Sequence, residues 1–193
     1  MHVPRAGLDP DALTRAGAEL ADEVGLERLS MSALAERVGV KTPSLYKHVE
    51  SSADLVHRIA VLAETELSDA ITAATEGRRG RDGLLAAARA MRTFVKTHPG
   101  RYAAVNAARV SGEDDPLIAS GDRLLAALAD VLSGYALKPR QEIHALRMLR
   151  SLLHGFTTLE VAGGFQMDTA VDASFTWMVE LMDRGLTTLV DGQ

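Results

Sequence analysis

From Leu13 near one end of the chain to Met182 near the other, almost every segment spaces its apolar side chains three and four positions apart, and alternating β-branched runs are missing. A repeat near 3.6 residues gathers side chains on one face of a helix, whereas a strand needs a period of two. The pattern predicts an all-α protein of about nine helices.

The punctuation between the stripes sets the expected boundaries. Leu13, Ala16, Leu20 and Val24 share one face of a first helix, with Asp9 placed to cap it, Pro10 in its first turn and Gly25 as its stop. Ser30 is placed to cap a second, short helix, Met31 to Val38, with Leu34, Ala35 and Val38 inward and Gly39 at its end. Thr42 followed by Pro43 reads as another cap and first-turn proline, starting a third helix that runs to about Val49. Asp54 opens a fourth, whose stripe of Val56, Ile59, Ala60, Ala63, Leu67, Ala70 and Ile71 carries it to about Ala74. EGRRGRDG (76–83) places three glycines among charges and reads as a loop. A fifth helix with Leu84, Ala88, Met91 and Val95 halts at His98, Pro99 and Gly100, and a sixth runs from about Arg101 to Val110. Beyond the loop SGEDDP (111–116), a seventh spans Pro116 to Leu132 and ends at Gly134.

The last two helices carry apolar residues on two faces each. From Pro139 to about Ala162, one face holds Ala145, Met148, Leu149, Leu152, Phe156 and Leu159, and a second holds Ile143, Leu146, Leu153 and Thr157. From about Val171 to Val190, Phe175, Met178, Val179 and Met182 line one side, Trp177 and Leu181 another. A helix apolar on two faces must be covered on both. Two in succession predict a homodimer seam that includes Leu146, Leu153, Trp177 and Leu181; the alternative is that both helices lie deep within one bundle.

Several function classes are disfavoured. No apolar run approaches the roughly 20 residues of a membrane span. MHVPRAGLDP has no apolar signal segment, and the chain has no cysteine for disulfides or thiolate metal sites, so a cytoplasmic protein is expected. GRRGRDG lacks a preceding strand and a following G-K-[ST], which argues against a phosphate cradle. The six histidines, His2, His48, His57, His98, His144 and His154, include no pair four apart and no H-E-x-x-H, so neither a metal nor a cofactor is expected. With no G-x-S-x-G elbow, and with the carboxylates of GEDD in a loop without a partner acid, no enzyme is expected either.

What remains is the short pair of helices around VGVKTPSLYKHV (38–49). Both are too short to be stable alone, so they make sense packed on the first helix as a helix-turn-helix. In that motif the second helix of the pair enters the DNA major groove while the first crosses the backbone. Leu45 and Val49, four apart, would hold the second to the core and leave Thr42, Ser44, Tyr46, Lys47 and His48 outward, where hydroxyls, a phenol and a cation suit base edges and phosphates. The whole chain has a formal charge of −5, unhelpful towards a polyanion. Residues 28–58 invert that sign, with five Lys and Arg against three acids, a net +2.

The stretch GLERLSMSALAERVGVKTPSLYKHVESSADL (25–55) resembles the DNA-binding region of TetR-family transcriptional regulators in its glycine after the first helix, its A-x-x-x-G-V turn and its L-Y-x-H third helix. LLHGFTTLEVAGGF (152–165), followed by a helix with a tryptophan, is similar to one C-terminal subtype of that family. The resemblance implies an all-α homodimer in which residues 1–54 bind a palindromic double-stranded operator, and residues 55–193 bind a small effector and dimerise. It implies that Ser32, Thr42, Pro43 and Ser44 face bases, and that Tyr46, Lys47 and His48 meet phosphates or nearby bases. Lys41 replaces the common turn serine, and Ser52 stands where a lysine is usual, a contact that Lys41 is placed to supply. An effector pocket is expected among helices five to eight, lined by Met91, Phe94, Tyr102, Met148, Leu152 and Phe156, with Arg147 and Arg150 as anion partners. The expected function is a repressor released from its operator by a small molecule. The alternative is a helical ligand carrier or oligomeric scaffold whose N-terminal motif no longer reads DNA, and the intact polar face of the third helix favours the regulator.

Overall fold

The computed structural model describes residues 9–191, with side chains to residue 189, so the expected absence of a signal in residues 1–8, His2 and the side chain of Val190 lie outside the described residues. Regular structure among them consists of nine α-helices and two 3₁₀ turns. The helices are α1 (Pro10–Val24), α2 (Met31–Val38), α3 (Thr42–Leu45), α4 (Ser52–Ala74), α5 (Gly80–Thr97), α6 (Pro99–Ala107), α7 (Pro116–Leu132), α8 (Pro139–Val161) and α9 (Val171–Asp191). No helix among them is long and apolar enough to cross a membrane.

Two of the expected caps form: Asp9 accepts from Ala12 N at 2.6 Å and Ser30 accepts from Ala33 N at 3.2 Å. Two expected starts move. Thr42 lies inside α3, whose N-cap is Lys41 with no side-chain cap, because Pro43 takes the second helical position. α4 starts at Ser52 rather than Asp54, since Ser51 Oγ accepts from Asp54 N at 3.0 Å and so caps the helix, while Asp54 accepts from Glu50 N at 2.9 Å just ahead of it. α3 is also shorter than expected, ending at Leu45, with turns over 46–48. α5 begins at Gly80, inside the segment expected to be loop, and α6 spans Pro99–Ala107 rather than reaching Val110.

The chain divides into two compact units, one of residues up to Glu64 with His98–Ile118, the other of Thr65–Thr97 with Ala119 onward. In the first, Leu13, Leu20, Leu34, Leu45, Val49, Leu55, Ile59 and Ala104 form the core. α6 packs on α1 so closely that a Cβ at Gly100 would stand 2.1 Å from the Ala21 carbonyl carbon and oxygen. Asp22 fixes that approach by accepting from Arg101 N at 2.9 Å and facing His98 Nδ1 at 3.0 Å. A second tie joins α4 to the turn before α7. Asp115 accepts from Ser111 N at 2.7 Å and Leu117 N at 2.8 Å and meets His57 Nε2 at 2.9 Å. Those backbone hydrogen bonds hold the Asp115 carboxyl well below the usual carboxylate range.

In the second unit α5 packs against α8 and α9. The buried stripe of α8 is Ala145, Leu149, Leu153 and Thr157, spaced by four. This re-sorts the two faces expected from periodicity. Leu153, expected at the dimer seam, is 1 % exposed in the unit's own core, while Met148 and Leu159, expected on one face with Ala145 and Leu149, are exposed. α9 turns Phe175, Val179, Met182 and Leu186 inward and leaves Trp177 and Leu181 outward.

The α1–α6 contact yields a direct check. Gly100→Ala forces two backbones apart, so it should lower stability by about 1–3 kcal/mol. Urea unfolding followed by circular dichroism would measure the loss, and an unchanged midpoint would refute the close approach.

Candidate functional site

The turn between α2 and α3 depends on one residue, Gly39, which adopts φ +70° and ψ 32°. That left-handed backbone lets Val40 N donate to Ala35 O at 3.0 Å and Gly39 N to Glu36 O at 3.2 Å, closing α2 and turning the chain sharply into α3. α3 is a single α turn, and beyond it His48 N and Val49 N both donate to Leu45 O, at 2.9 and 3.1 Å. Leu45 and Val49 are buried in the first unit's core.

The residues between and around them form the outward face. Lys41, Pro43, Tyr46 and Lys47 are exposed, and Thr42, Ser44 and His48 are half-buried. Ser32, at the start of α2, is exposed with its hydroxyl 3.1 Å from that of Ser30. Thr42 does not cap α3. The positive charge expected from residues 28–58 is partly committed to the fold. Arg37 donates to Glu23 at 2.7 and 2.9 Å and to Glu19 at 3.1 Å, and Arg58 donates to Asp54 at 2.9 Å. Arg28 donates to the carbonyl of Val24. Lys41 and Lys47 carry no ion pair among the described residues, so they are the cations this face can offer to phosphates.

The residues expected to line an effector pocket fall in several places. Met91 and Phe94 are buried in α5, Arg147 and Met148 are exposed on α8, Leu152 is half-buried, and Tyr102 belongs to the other compact unit. Within the second unit a cavity of about 580 Å³ opens instead at the junction of α8 and α9. Its walls are Phe156 from α8, Phe165, Met167 and Thr169 from the connecting loop, and Val171, Ala173, Ser174, Trp177 and Met178 from α9 and its entry. Only Phe156 was legible as a lining residue. A sequence signal for the rest exists in the spacing of Phe156, Phe165 and Phe175, whose rings gather with centroids 4.7 and 5.2 Å apart.

Behind those rings stands a clamp that periodicity could not reveal. The Arg92 guanidinium lies over Phe175 at 4.6 Å and Phe156 at 5.9 Å. It donates to both oxygens of Glu160 at 2.7 Å and to Asp172 at 2.6 Å, joining α5 to the end of α8 and the start of α9. Lys96 adds a further bond to Glu160 at 2.7 Å.

Residues 13–59 match the tetR family of bacterial regulatory proteins, and residues 84–182 match the tetracyclin repressor-like C-terminal domain. The chain is 33% identical over 181 residues to the uncharacterized HTH-type transcriptional regulator Rv0681 of Mycobacterium tuberculosis, covering 94% of this chain and 83% of that one. Among solved structures it is similar to a TetR variant from Acinetobacter baumannii AYE in complex with minocycline, at 25% identity and a TM-score of 0.64 over 96% of each chain. It also has the fold of Mycobacterium smegmatis BioQ, solved with its natural double-stranded DNA operator, at 19% identity and a TM-score of 0.70 over 94% of this chain and 99% of that one.

The Arg92 clamp makes a pH-dependent prediction. Hydrogen bonds from Arg92 hold the Glu160 carboxyl down to about 2, against the upward push of burial and with help from Lys96. Because a free glutamate titrates at about 4.3, the ionised group adds stability above that pH and loses it as pH falls toward about 2. Glu160→Gln should therefore melt a few degrees lower at neutral pH, with the gap closing through that acid window. Melts followed by circular dichroism check this, and a gap independent of pH would refute it.

Proposed function

The chain belongs to the tetR family of bacterial regulatory proteins, and from that premise we propose that it is a cytoplasmic repressor that binds a palindromic operator as a homodimer and is released by a small molecule. At the coarser level it is a transcriptional regulator with a DNA-binding helix-turn-helix. The observation that supports the finer reading is the division of α3 and the turn that follows it, with Leu45 and Val49 anchored in the core, Tyr46 and Lys47 exposed and Ser44 half-buried between them. A one-turn helix anchored by two apolar residues presents its polar groups in fixed register, which direct readout of base edges requires. Ser32, Thr42, Pro43 and Ser44 are assigned to bases, and Lys41, Tyr46, Lys47 and His48 to phosphates or nearby bases.

The dimer is assigned to the outward faces of α8 and α9, with Leu146, Trp177 and Leu181 at the seam. Leu153 drops out, since its side chain is spent in the core of its own unit. Half-sites in such operators lie about 34–36 Å apart, one turn of DNA, so the two reading helices must hold a fixed separation. α4 contributes residues to both compact units, and the proposal makes it the element through which an effector alters that separation.

Three substitutions test this reading. Lys47→Ala should weaken binding to all DNA alike and reduce the salt slope by about one unit for each phosphate it no longer neutralises. Ser44→Ala should cost roughly 1–3 kcal/mol on the specific operator and little on unrelated DNA. Fluorescence anisotropy with the chain's own upstream DNA at several salt concentrations separates the two; an unchanged operator preference in Ser44→Ala would remove that residue from base readout. Leu181→Asp should sediment as a monomer, and a native chain that is already monomeric at micromolar concentration would overturn the seam.

A further inference from the structure

The cavity at the α8–α9 junction has a distinctive chemistry. Its lining includes three aromatic rings, Phe156, Phe165 and Trp177, two methionines and the hydroxyls of Thr169 and Ser174, with no ionisable side chain. Met167 is 83 % exposed at its mouth, apolar surface left in water that a ligand would cover, and Trp177, 61 % exposed in the single chain, stands where the cavity borders the proposed seam. The floor is fixed before any ligand arrives. Gly164 N donates to Leu159 O at 2.8 Å as the chain leaves α8, and Phe165 returns to stack on Phe156, while Arg92 grips Phe175, Glu160 and Asp172 from behind.

We propose that this cavity binds a neutral, planar aromatic molecule of two or three rings carrying one or two hydrogen-bonding groups. Neutrality follows from the walls, because an ion entering a lining without a charged partner loses its hydration and gains nothing in return. Planarity follows from the rings, which favour offset or edge contacts with another ring. The size follows from the volume of about 580 Å³, within the range that holds drug-sized ligands. Thr169 and Ser174 supply the polar contacts that orient the molecule, and the thioethers of Met167 and Met178 adapt to its outline. Binding stands on these walls alone, and only its regulatory consequence rests on the preceding reading of the chain as an effector-controlled repressor.

Trp177 is the only tryptophan in the chain, so its emission reports this site without a label. Titrating the full chain with the neutral probe N-phenyl-1-naphthylamine should quench Trp177 by energy transfer, saturably and with one probe per chain. The anionic relative 8-anilino-1-naphthalenesulfonate should bind at least about ten-fold more weakly. Ala173→Phe, which fills the cavity from α9, should weaken the neutral probe by a similar factor. Met167→Asp, at an exposed loop position that folding does not need, should do the same and guards against a folding defect in the first variant. Unsaturable quenching, equal affinity for the anionic dye, or native affinity in Met167→Asp would overturn the site. Tighter probe binding by Leu181→Asp monomers than by the native chain would identify a second copy of the chain as the occupant and overturn it equally. A DNA arm keeps the two readings apart. Saturable probe binding that leaves operator affinity untouched upholds the site and removes its regulatory role, whereas loss of operator binding in the unliganded chain bears only on the repressor reading.

Discussion

Helices of eight and four residues do not hold themselves in water, because the first turn of any helix orders several residues for a single hydrogen bond. α2 and α3 persist because Leu34, Leu45 and Val49 are buried against the stripes of α1 and α4. Every outward group on the reading face inherits its position from that burial. α1 in turn is locked to α6 by a backbone approach that tolerates no Cβ at Gly100 and by the Asp22 carboxylate. The reading face is thus the far end of a chain of contacts that runs through α1 to α6, a segment some eighty residues away in sequence.

That chain of contacts also marks the limit of what the sequence disclosed. Caps, a left-handed glycine and an apolar stripe are local, and Asp9, Ser30 and Gly39 act as their residue types predict. The packing of α6 on α1 has no local signature, since Gly100 beside Pro99 reads equally well as a helix stop. Thr42 and Asp54 mislead as caps for a related reason. Each has the right side chain, but Pro43 and Ser51 shift the register by one to three residues. α8 poses a different difficulty. Ala145, Leu149 and Leu153 form one stripe and Met148, Leu152 and Leu159 an adjacent one, both apolar, and a 3.6-residue period cannot tell which of two neighbouring apolar stripes meets the core. Only the presence of α5 and α9 decides it.

The two sites differ in legibility for the same cause. The residues proposed to face DNA sit within twenty positions of one another on elements whose order is fixed by local signals. The cavity is built from the end of one long helix, an irregular loop and the start of the next, and its floor depends on Arg92 from a third helix. An arginine midway along an amphipathic helix reads as a solvated charge. Its role appears only when Glu160, Asp172 and two phenylalanine rings converge on it.

The shortage of uncommitted cations on the reading face bears on how such a regulator is switched. In the proposed dimer, with Arg37 and Arg58 tied to carboxylates, phosphate attraction would fall mainly to Lys41 and Lys47 in each subunit, so that few counterions are released and affinity depends only moderately on salt. Under the proposed function, the remaining affinity comes from hydrogen bonds by Ser32, Thr42, Ser44 and Tyr46. Such bonds weaken steeply with misalignment, whereas a Coulombic attraction to phosphate changes little over an ångström. An affinity built on alignment is easily lost when two half-sites move out of register together. An effector then needs to favour the misaligned state by only about 1–3 kcal/mol to release the operator substantially, and linkage requires operator DNA to weaken effector binding by the same factor. A face poor in charge and rich in directional contacts is therefore suited to control by a ligand whose differential binding energy is small.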